Sequence, residues 1–282
     1  MDGFDLVVSS AAMFAKSVRP PPGVPHICYC HTPPRFLWDL RESAVAEIPR
    51  SAPIRAAVSA MLGPLRRADL KAAAGVTTFV ANSQHVARRI RRYYQREASV
   101  VHPPVEINSF SGGFDRGDHF LILSRLYAYK RVDVAIRACA QVGVPLKIAG
   151  EGDDRGRLEA MAGPSVEFLG HVSEDEKIEL LGSARGLLSP QVEDFGIAMV
   201  EAIAAGTPVI SINDGGACEI VVHGETGVLY NGRGVGALAA AIREARRMTF
   251  SPDAMSSSVA RFAPECFDRA MRRIIVDVAG GR

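Results

Sequence analysis

The sequence predicts an α/β protein made of two doubly wound, Rossmann-like domains, the first of which is shortened at its N-terminus. From Phe120 onward, short apolar strands alternate regularly with amphipathic helices, and this alternation is typical of a parallel sheet covered by helices on both faces. About six strands follow Pro104, but only about four precede it. The chain also opens directly on a strand, without a preceding strand–helix unit.

The first domain is expected to contain short apolar strands joined by helices. The segments that predict strands are FDLVVSS, HICYC, GVTTFVANS and SVVHPPV. A long helix is expected between Pro53 and Ala74. A second helix is expected in SQHVARRIRRYYQ, where Asn82 or Ser83 serves as the N-cap because either side chain accepts a hydrogen bond from the first turn.

Pro103-Pro104 and the polar, glycine-containing segment NSFSGGFDRGDH predict a linker, so the first domain is expected to cover residues 1–107 and the second residues 108–264. The strands of the second domain are predicted in HFLILS, PLKIAG, VEFLG, GLLSP, PVISI and TGVLY. Ser173 and Glu176 have the spacing of a capping box at the start of one of its helices. A last amphipathic helix, within residues 265–282, is expected to pack back toward the first domain.

The composition is that of an ordinary globular protein. Hydrophobic residues make up 48% of the chain, charged residues 23%, and the net charge is +2, so nucleic-acid binding is not expected. The five cysteines lack C-x-x-C spacing, which favours reduced thiols in a cytoplasmic protein over disulfides or a zinc site. No apolar run approaches the roughly 18 residues of a membrane-spanning helix, and no secretion signal is expected in MDGFDLVVSS.

One helix of the predicted first domain is strongly basic. The segment SQHVARRIRRYYQ carries Arg88, Arg89, Arg91 and Arg92 opposite an apolar face. Two interpretations stay open: the basic face is simply solvated, or it contacts an anionic membrane or a lipid-linked acceptor. The second interpretation places the protein peripherally at the inner face of the plasma membrane.

The segment QVEDFGIAMVEAIAAGTPVI holds two carboxylates whose positions require an explanation. The predicted helix from Gly196 to Ala205 is small or aliphatic except for Glu201, and Glu193 stands just before it. A helix that is apolar all round is normally buried, and a buried carboxylate is costly unless a partner binds it. Either Glu201 faces solvent at a thinly exposed edge, or this end of the helix faces a polar ligand.

Three predicted strands of the second domain are followed by groups suited to an anionic ligand. Arg125 and Lys130 follow the first of these strands, the turn Glu151–Asp153 follows the second, and Glu193 precedes a helix that begins near Gly196. Helix N-termini and basic side chains bind phosphates, and ligands of doubly wound sheets lie at the carboxyl ends of the strands. There is no P-loop motif and no convincing G-x-G-x-x-G after a strand. The pattern therefore favours a diphosphate.

The spacing of the two glutamates suits a diphosphate with hydroxyl groups on both sides. Glu201 lies about 7–8 Å beyond Gly196 along the helix axis, at about 1.5 Å per residue, and Glu193 lies on the other side of the helix end. A sugar nucleotide carries a sugar on one side of its diphosphate and a ribose on the other. The hypothesis is that Glu201 pairs with the ribose and Glu193 with the donor sugar.

At these residues the sequence resembles glycosyltransferase family 4, whose members are retaining enzymes of the GT-B fold. The motifs that match in order are RLYAYKR, AGEG, LGHVS, the E-x7-E pair Glu193/Glu201, and EAIAAGTPVISINDGGACEIVVHGETGVLY. The segments HICYCHTPPRFLWDL and FVANSQHVARRIRRYYQREASVVHPPVE resemble the mannosyltransferase-like bacterial branch. The resemblance implies a role in cell-envelope polysaccharide synthesis.

The resemblance implies specific roles for individual residues. Arg125 and Lys130 would contact the diphosphate and stabilise the departing nucleotide. Glu193 would hold the transferred sugar and Glu201 the ribose, while His31, in YCHTPP, would reach the donor sugar from the first domain. The implied catalytic set is Glu193, His31, Arg125 and Lys130; the implied donor-binding set is Arg125, Lys130, Gly150, Glu151, Val172, Glu193, Phe195, Gly196, Ile197 and Glu201.

The resemblance also implies the substrates. The donor would be a nucleotide-diphospho-sugar, with GDP-mannose suggested by the mannosyltransferase-like segments, and the acceptor a glycan or a lipid-linked glycan. No metal or other cofactor is expected. Asp153 and Asp154, in GDD, are interpreted as a turn and a helix cap.

Family members normally begin with a further strand–helix unit, and the chain is expected to lack it. Two other functions therefore stay open. The protein could be an inactive donor-binding remnant or partner subunit, which binds nucleotide but transfers no sugar. It could also be a sugar-nucleotide epimerase of the same architecture, which converts the donor without an acceptor.

Overall fold

The computed structural model describes residues 3–39, 52–110, 112 and 114–280. The chain forms two compact units: Met1–His102 together with Phe267–Arg282, and Pro103–Cys266. The first boundary thus falls at the proline pair itself, whereas the sequence placed it after residue 107. Part of the expected linker, residues 111 and 113, lies outside the described residues, as do the last two residues of the expected C-terminal helix.

The first unit contains a four-stranded parallel sheet. Its strands run in the order β1-β2-β3-β4, and each is parallel to its neighbour. They are β1 (Val7–Ala11), β2 (His26–Cys30), β3 (Thr78–Ala81) and β4 (Ala98–Val100). The helices that the structure describes in this part of the chain are α1 (Arg35–Trp38), α2 (Ala52–Ala74) and α3 (Gln84–Tyr94). All four strands expected from the sequence are confirmed.

Helix α3 begins where the sequence predicted it. Of the two candidate N-caps, Ser83 takes the role, because its side chain accepts a hydrogen bond from the backbone N–H of Val86. The prediction that Arg89 shares an exposed basic face is wrong. Arg89 is buried, hydrogen-bonds the Pro33 carbonyl at 3.1 Å and pairs with Asp39. Its position one turn from Val86 places it on the inner side of the helix.

The second unit contains a six-stranded parallel sheet with the order β10-β9-β8-β5-β6-β7. The strands are β5 (Phe120–Leu123), β6 (Leu146–Ala149), β7 (Val166–Gly170), β8 (Gly186–Ser189), β9 (Val209–Ile212) and β10 (Gly227–Tyr230). The helices are α4 (Val132–Val142), α5 (Arg155–Met161), α6 (Glu174–Ser183), α7 (Ile197–Ala204), α8 (Ala217–Ile220), α9 (Val235–Ala245) and α10 (Pro252–Val259). The six expected strands are confirmed.

Both faces of this sheet are buried, as its continuous apolar strands require. Adjacent residues of a strand point to opposite faces. Accordingly, Ile122 packs in a core with residues of α4 and α9, while Leu121 packs in a second core with α7 and α10. The sheet is therefore a fixed platform, and the loops at its carboxyl edge are free to carry function.

The strand order reverses next to β5. The chain runs from β5 outward through β6 and β7, then returns to β8 on the other side of β5. In open parallel sheets this reversal opens a crevice at the carboxyl ends of the two central strands, and ligands bind there. The switch point of this sheet lies between Leu123, the last residue of β5, and Ser189, the last residue of β8.

Two helix starts in this unit were expected from the sequence. The capping box is confirmed: Glu176 donates its backbone N–H to the Ser173 hydroxyl at 3.3 Å, and its side chain accepts from the Ser173 N–H at 2.7 Å. Asp154 does precede α5, but its carboxylate pairs with Arg157 at 2.6 Å instead of capping the backbone. The expected cap at GDD is therefore only a turn and an ion pair.

The last helix is α11 (Pro264–Gly280), and from Phe267 onward its residues belong to the first unit. Met271 is buried in a core with Ile27, Tyr29, Val80 and Val101. The ring of Phe267 meets that of Tyr29 edge-on, with 5.5 Å between the centroids. No helix in the described part of the chain is both long and apolar enough to cross a membrane.

Candidate functional site

An ion pair joins the two loops at the switch point of the six-stranded sheet. Lys130 ends a 3₁₀ turn after β5, and its Nζ lies 2.6 Å from Oε1 of Glu193, which follows β8. The two side chains are 14% and 22% exposed. Two residues that the sequence assigned to one ligand are therefore brought together, although here they bind each other.

Glu193 is held through one of its two oxygens. The amide Nε2 of Gln191 also donates to Oε1, at 2.6 Å. Oε2 has no hydrogen-bond partner among the residues that the structure describes. Gln191 is buried and was missed by the sequence reasoning, although it precedes Glu193 by only two positions.

A small cavity lies beside this ion pair. It measures about 20 Å³ and is lined by Ser124, Gln191, Glu193 and Gly196, together with the ends of β5 and β8. That space is enough for about one water molecule. A sugar or phosphate at this point must therefore separate Lys130 from Glu193 or displace their side chains.

The loop that carries Glu193 is fixed by close backbone contacts. The N–H of Gly216, in the turn after β9, donates to the Glu193 carbonyl at 2.8 Å. A Cβ atom at Gly216 would collide with the backbone of Phe195, and one at Gly215 with the Glu193 carbonyl. The NDGG turn thus requires glycine because two backbone segments touch there.

Gly196 forms the junction between this loop and α7. Its φ of +114° lies in a region that favours glycine, and a Cβ atom would collide with Cε of Met199. α7 begins at the next residue, so its first backbone N–H groups lie next to the Lys130–Glu193 pair. Helix N-termini of this kind attract anions.

A larger cleft of about 770 Å³ lies at the ends of β5, β6 and β7. It brings together four residues assigned from the sequence: Arg125, Gly150, Glu151 and Val172. The cleft shares Leu123 and Ser124 with the small cavity. Its remaining lining residues are Tyr127, Ala149, Gly152, Asp153, Arg155, His171 and Lys177.

The loops around the larger cleft are hydrogen-bonded to one another. Gly150 donates to the Gly170 carbonyl at 2.7 Å, and Leu126 donates to the Glu151 carbonyl at 2.8 Å. Gly150, with a φ of +131°, passes so close to Ser124 that a Cβ atom would collide with its carbonyl. Because three loops support each other, the cleft exists before any ligand binds.

The positive charge of Arg125 is not neutralised within the described chain. The residue is exposed at the cleft, and its guanidinium forms no ion pair or hydrogen bond among the described residues. An uncompensated guanidinium in a cleft suits an anion with several oxygens.

Glu201, in the second turn of α7, has a partner inside the protein. Lys177 of α6 places its Nζ 2.9 Å from Oε1 of Glu201, and the side chains are 15% and 12% exposed. Burial alone would lower the pKa of Lys177, but the hydrogen bonds and charges of Glu174 and Glu201 outweigh it and raise the pKa. Lys177 therefore stays protonated and pairs with the buried carboxylate.

The sequence predicted that the partner of Glu201 is a ligand and did not identify Lys177. One signal was available: Lys177 is the single cation in SEDEKIELLGSA, among four acidic residues. Its contact with Glu201 spans 24 residues of sequence and depends on how α6 and α7 pack. Lys177 also lines the larger cleft, so this pair links Glu201 to the cleft.

Phe195 and Ile197 were assigned through their backbones, and their side chains lie elsewhere. The Phe195 ring is buried and meets the Phe262 ring edge-on at 5.5 Å. The Ile197 side chain is exposed, as the first residue of α7. Neither side chain lines the two cavities described above.

His31 lies in the first unit, directly after β2. Its Nε2 is 2.7 Å from the hydroxyl of Ser10, and its ring meets that of Tyr29 edge-on at 5.2 Å. Burial lowers its pKa, so the imidazole is neutral at pH 7. Ser10, on the neighbouring strand, was not singled out from the sequence.

The described residues were also compared with the requirements of a metal site. No three His, Cys, Asp or Glu side chains among them gather in a group that could hold a metal ion.

Comparison with known proteins identifies related sequences and folds. The family described as glycosyl transferases group 1 matches residues 105–258. A glycogen synthase of Mycobacterium tuberculosis is 38% identical over 134 residues, which cover 44% of this chain and 32% of the relative. The alpha-1,3/1,6-mannosyltransferase ALG2 of Mus musculus is 30% identical over 239 residues, which cover 71% of this chain and 54% of the relative.

Among solved structures, the sucrose-phosphate synthase from Thermosynechococcus elongatus matches with a TM-score of 0.76 at 17% identity. The match covers 99% of this chain and 75% of that one. It shows that the two proteins share a fold. The chain spans between a third and about half of the length of the two curated relatives.

Proposed function

The chain belongs to the glycosyl transferases of group 1, and on that premise we propose that it transfers a sugar from a nucleotide-diphospho-sugar to an acceptor. The observation that carries the proposal is the group of charges at the switch point. Lys130 and Glu193 meet there, and Arg125 stands in the adjoining cleft without a counter-ion among the described residues. Cations and a carboxylate beside a helix N-terminus suit a diphosphate joined to a sugar.

The proposed chemistry is stabilisation of the leaving diphosphate. Arg125, Lys130 and the first N–H groups of α7 would face the negative charge that develops as the glycosidic bond breaks. When the diphosphate binds Lys130, the ion pair with Glu193 breaks, and Glu193 can accept hydrogen bonds from the sugar. Gln191 keeps Oε1 of Glu193 in place. The mechanism proposed is that of a retaining enzyme, in line with the resemblance to family 4.

The nucleoside is proposed to lie in the larger cleft. Its volume of about 770 Å³ falls within the usual range of ligand sites, about 300–1,000 Å³. Gly150, Glu151 and Val172 form part of its wall. Glu201, held by Lys177 at the edge of the cleft, is proposed to accept hydrogen bonds from the ribose hydroxyls.

Mannose is the proposed sugar and GDP-mannose the proposed donor. The sequence motifs of the mannosyltransferase-like branch support this, and so does the similarity to ALG2, a mannosyltransferase by name. The proposed acceptor is a glycan or a lipid-linked glycan. No metal or other cofactor is proposed.

A cytoplasmic location is proposed, with peripheral contact at the membrane. None of the five cysteines forms a disulfide in the structure, which suits a reducing compartment. Arg88, Arg91 and Arg92 are exposed on α3 and would supply the charge for contact with anionic lipid.

The experiment that tests the proposed function is a donor panel with product analysis. The purified protein is first mixed with GDP-mannose and other nucleotide sugars, and its melting temperature is recorded. Each donor that raises the melting temperature is then incubated with and without a glycan acceptor. We expect sugar transfer only with the acceptor and release of nucleoside diphosphate.

Two other results would reject transferase activity. Conversion of the donor into another nucleotide sugar without an acceptor would identify an epimerase. Binding of nucleoside diphosphate without any transfer would identify a donor-binding protein. The two relatives named above are a synthase and a transferase, which favours transfer.

A further inference from the structure

The two glutamates near the switch point are held in the same way. Glu193 receives hydrogen bonds from Lys130 and Gln191, and both go to Oε1. Glu201 receives a hydrogen bond from Lys177, also at Oε1. In each case Oε2 has no hydrogen-bond partner among the described residues. Each carboxylate is thus fixed through one oxygen and open at the other.

Lys177 is held in a defined position. Its Nζ lies 2.9 Å from Oε1 of Glu201, 2.6 Å from Oε2 of Glu174, and 5.5 Å from the centre of the Phe110 ring. The carboxylate of Glu174 is 83% exposed, so water competes for that contact. Glu201 is the buried partner, and its contact with Lys177 is correspondingly stronger.

The pair joins two helices, one of which reaches the cleft. Lys177 comes from α6, after β7, and lines the cleft directly, whereas Glu201 comes from α7, after β8. A glutamate side chain has three rotatable bonds, and a buried carboxylate without a partner would turn toward water. The ammonium group of Lys177 prevents this by binding one oxygen.

We infer that Lys177 is a positioning residue that presents Oε2 of Glu201 to the hydroxyl groups of a bound ribose. The inference rests on the proposed function, because it assumes that a nucleoside diphosphate occupies the cleft. It assigns no step of the reaction to Lys177. It does assign to the Lys177–Glu201 pair the preference for nucleotides with a ribose over nucleotides whose sugar lacks the 2′ and 3′ hydroxyl groups.

The test compares nucleoside diphosphates with their 2′,3′-dideoxy analogues. Calorimetry gives the affinities of GDP, UDP, dideoxy-GDP and dideoxy-UDP, with pyrophosphate as a ligand that lacks a ribose. The wild-type protein should prefer the ribose form at least about tenfold, the usual effect of a hydrogen bond to a charged group. Lys177→Met should reduce this preference to less than about threefold and leave the affinity for pyrophosphate unchanged.

Two further variants make this readout specific. Lys177→Arg keeps a cation that reaches Glu201, and it should retain most of the preference for ribose. Lys147→Met is the matched control, because Lys147 forms an exposed pair with Glu167 at 4.0 Å on β6 and β7. That control should behave like the wild type. If Lys177→Met is too unstable to purify, Lys177→Gln, which removes the charge but keeps a polar end, decides the question.

The outcomes separate this inference from the proposed function. If Glu201→Ala abolishes the preference for ribose and Lys177→Met leaves it intact, the inference about Lys177 is wrong while the ribose role of Glu201 stands. If Glu201→Ala has no effect on the preference, the proposed role of Glu201 is wrong. If Lys177→Met weakens pyrophosphate binding equally, Lys177 contacts phosphate and is not a positioning residue.

Discussion

Lys130 and Glu193 neutralise each other, with their charged atoms 2.6 Å apart and mostly shielded from water. An ion pair of this kind orients a carboxylate without occupying both of its oxygens. We propose that an incoming diphosphate competes for the lysine, so that substrate binding frees the glutamate. Such an exchange would explain why a cation and an anion lie together at a site proposed to bind both phosphate and sugar.

Glu193→Gln tests the proposed contact with the sugar. The amide keeps the shape of the side chain but removes the charge that faces the reacting sugar, so we expect transfer to fall by about 100-fold or more. The affinity for nucleoside diphosphate should stay the same or rise slightly, because Lys130 loses its competitor. Initial rates and calorimetry measure the two quantities.

The control for this variant is Glu167→Gln, the same change at an exposed glutamate of β7. It should leave both quantities unchanged. A Glu193→Gln protein that transfers sugar at the wild-type rate would remove Glu193 from the mechanism.

Glu201→Ala tests the proposed contact with the ribose. The substitution removes the proposed acceptor of the ribose hydroxyls, so the affinity for nucleoside diphosphate should fall about tenfold or more. The affinity for pyrophosphate should not change. Equal losses of nucleotide affinity in Glu193→Gln and Glu201→Ala would contradict the assignment of sugar to one glutamate and ribose to the other.

At the scale of elements, the site depends on loops whose backbones touch. The turn after β9 places Gly216 against Phe195 and hydrogen-bonds the Glu193 carbonyl at 2.8 Å. The loops after β5 and β6 are joined in the same way through Leu126 and Glu151. The parallel sheet sets the direction of these loops, and the glycines set how closely they approach.

Gly216→Ala tests the importance of this contact. The φ of −67° at Gly216 suits alanine, so the collision with Phe195 is the main consequence of the added methyl group. We expect a loss of about 1–3 kcal/mol in the free energy of unfolding and weaker binding of nucleoside diphosphate, measured by urea unfolding and calorimetry.

Gly236→Ala is the matched control. Gly236 lies in α9, and a Cβ atom there would meet nothing within 4 Å. Alanine at this position should be neutral or stabilising by up to about 1 kcal/mol, because of its higher helix propensity. If the two variants were equally stable, the backbone contact at Gly216 would not matter for the fold.

The sequence was sufficient to predict the strands and the start of one helix. Periodicity located the ten strands, and the Ser173–Glu176 spacing identified a capping box that the structure contains. These features depend on neighbours in the chain. Lys177, Gln191 and Arg89 were missed or misassigned because their roles depend on side chains brought near by packing, such as Glu201 on α7 for Lys177.

At the scale of the whole molecule, each unit has its own sheet and its own buried core. The second unit holds the cleft and all of the residues that the family match covers. The first unit holds His31, whose ring is fixed by Ser10 and Tyr29. The residues proposed to bind the donor diphosphate and nucleoside therefore lie in the second unit.

The stability of the whole chain should depend on pH through one buried and two half-buried histidines. Burial lowers the pKa of His26, His31 and His119 below the ordinary value of 6.5. The unfolded chain takes up these protons near pH 6.5 and the folded chain only at lower pH. Stability is therefore complete above pH 6.5 and should decrease as the pH falls from 7.5 to 5.5.

Urea unfolding at several pH values in this range measures the effect. His26 should contribute because its Nδ1 is buried without a hydrogen-bond partner in the described structure, so a proton there would be unsatisfied. His26→Gln should accordingly show a smaller decrease than the wild type over the same range. Constant or increasing stability on acidification would contradict the prediction.

The central claim is that the charges between β5 and β8 bind a nucleotide-diphospho-sugar, and a crystal structure of the full chain with GDP-mannose tests it most directly. We expect the diphosphate to contact Arg125, Lys130 and the backbone N–H groups at the start of α7, with Glu193 released from Lys130 and directed at the sugar. A diphosphate bound elsewhere would contradict the claim. The clearest such result would be density in the 310 Å³ cavity near Arg116 and Arg185, at the opposite ends of the strands.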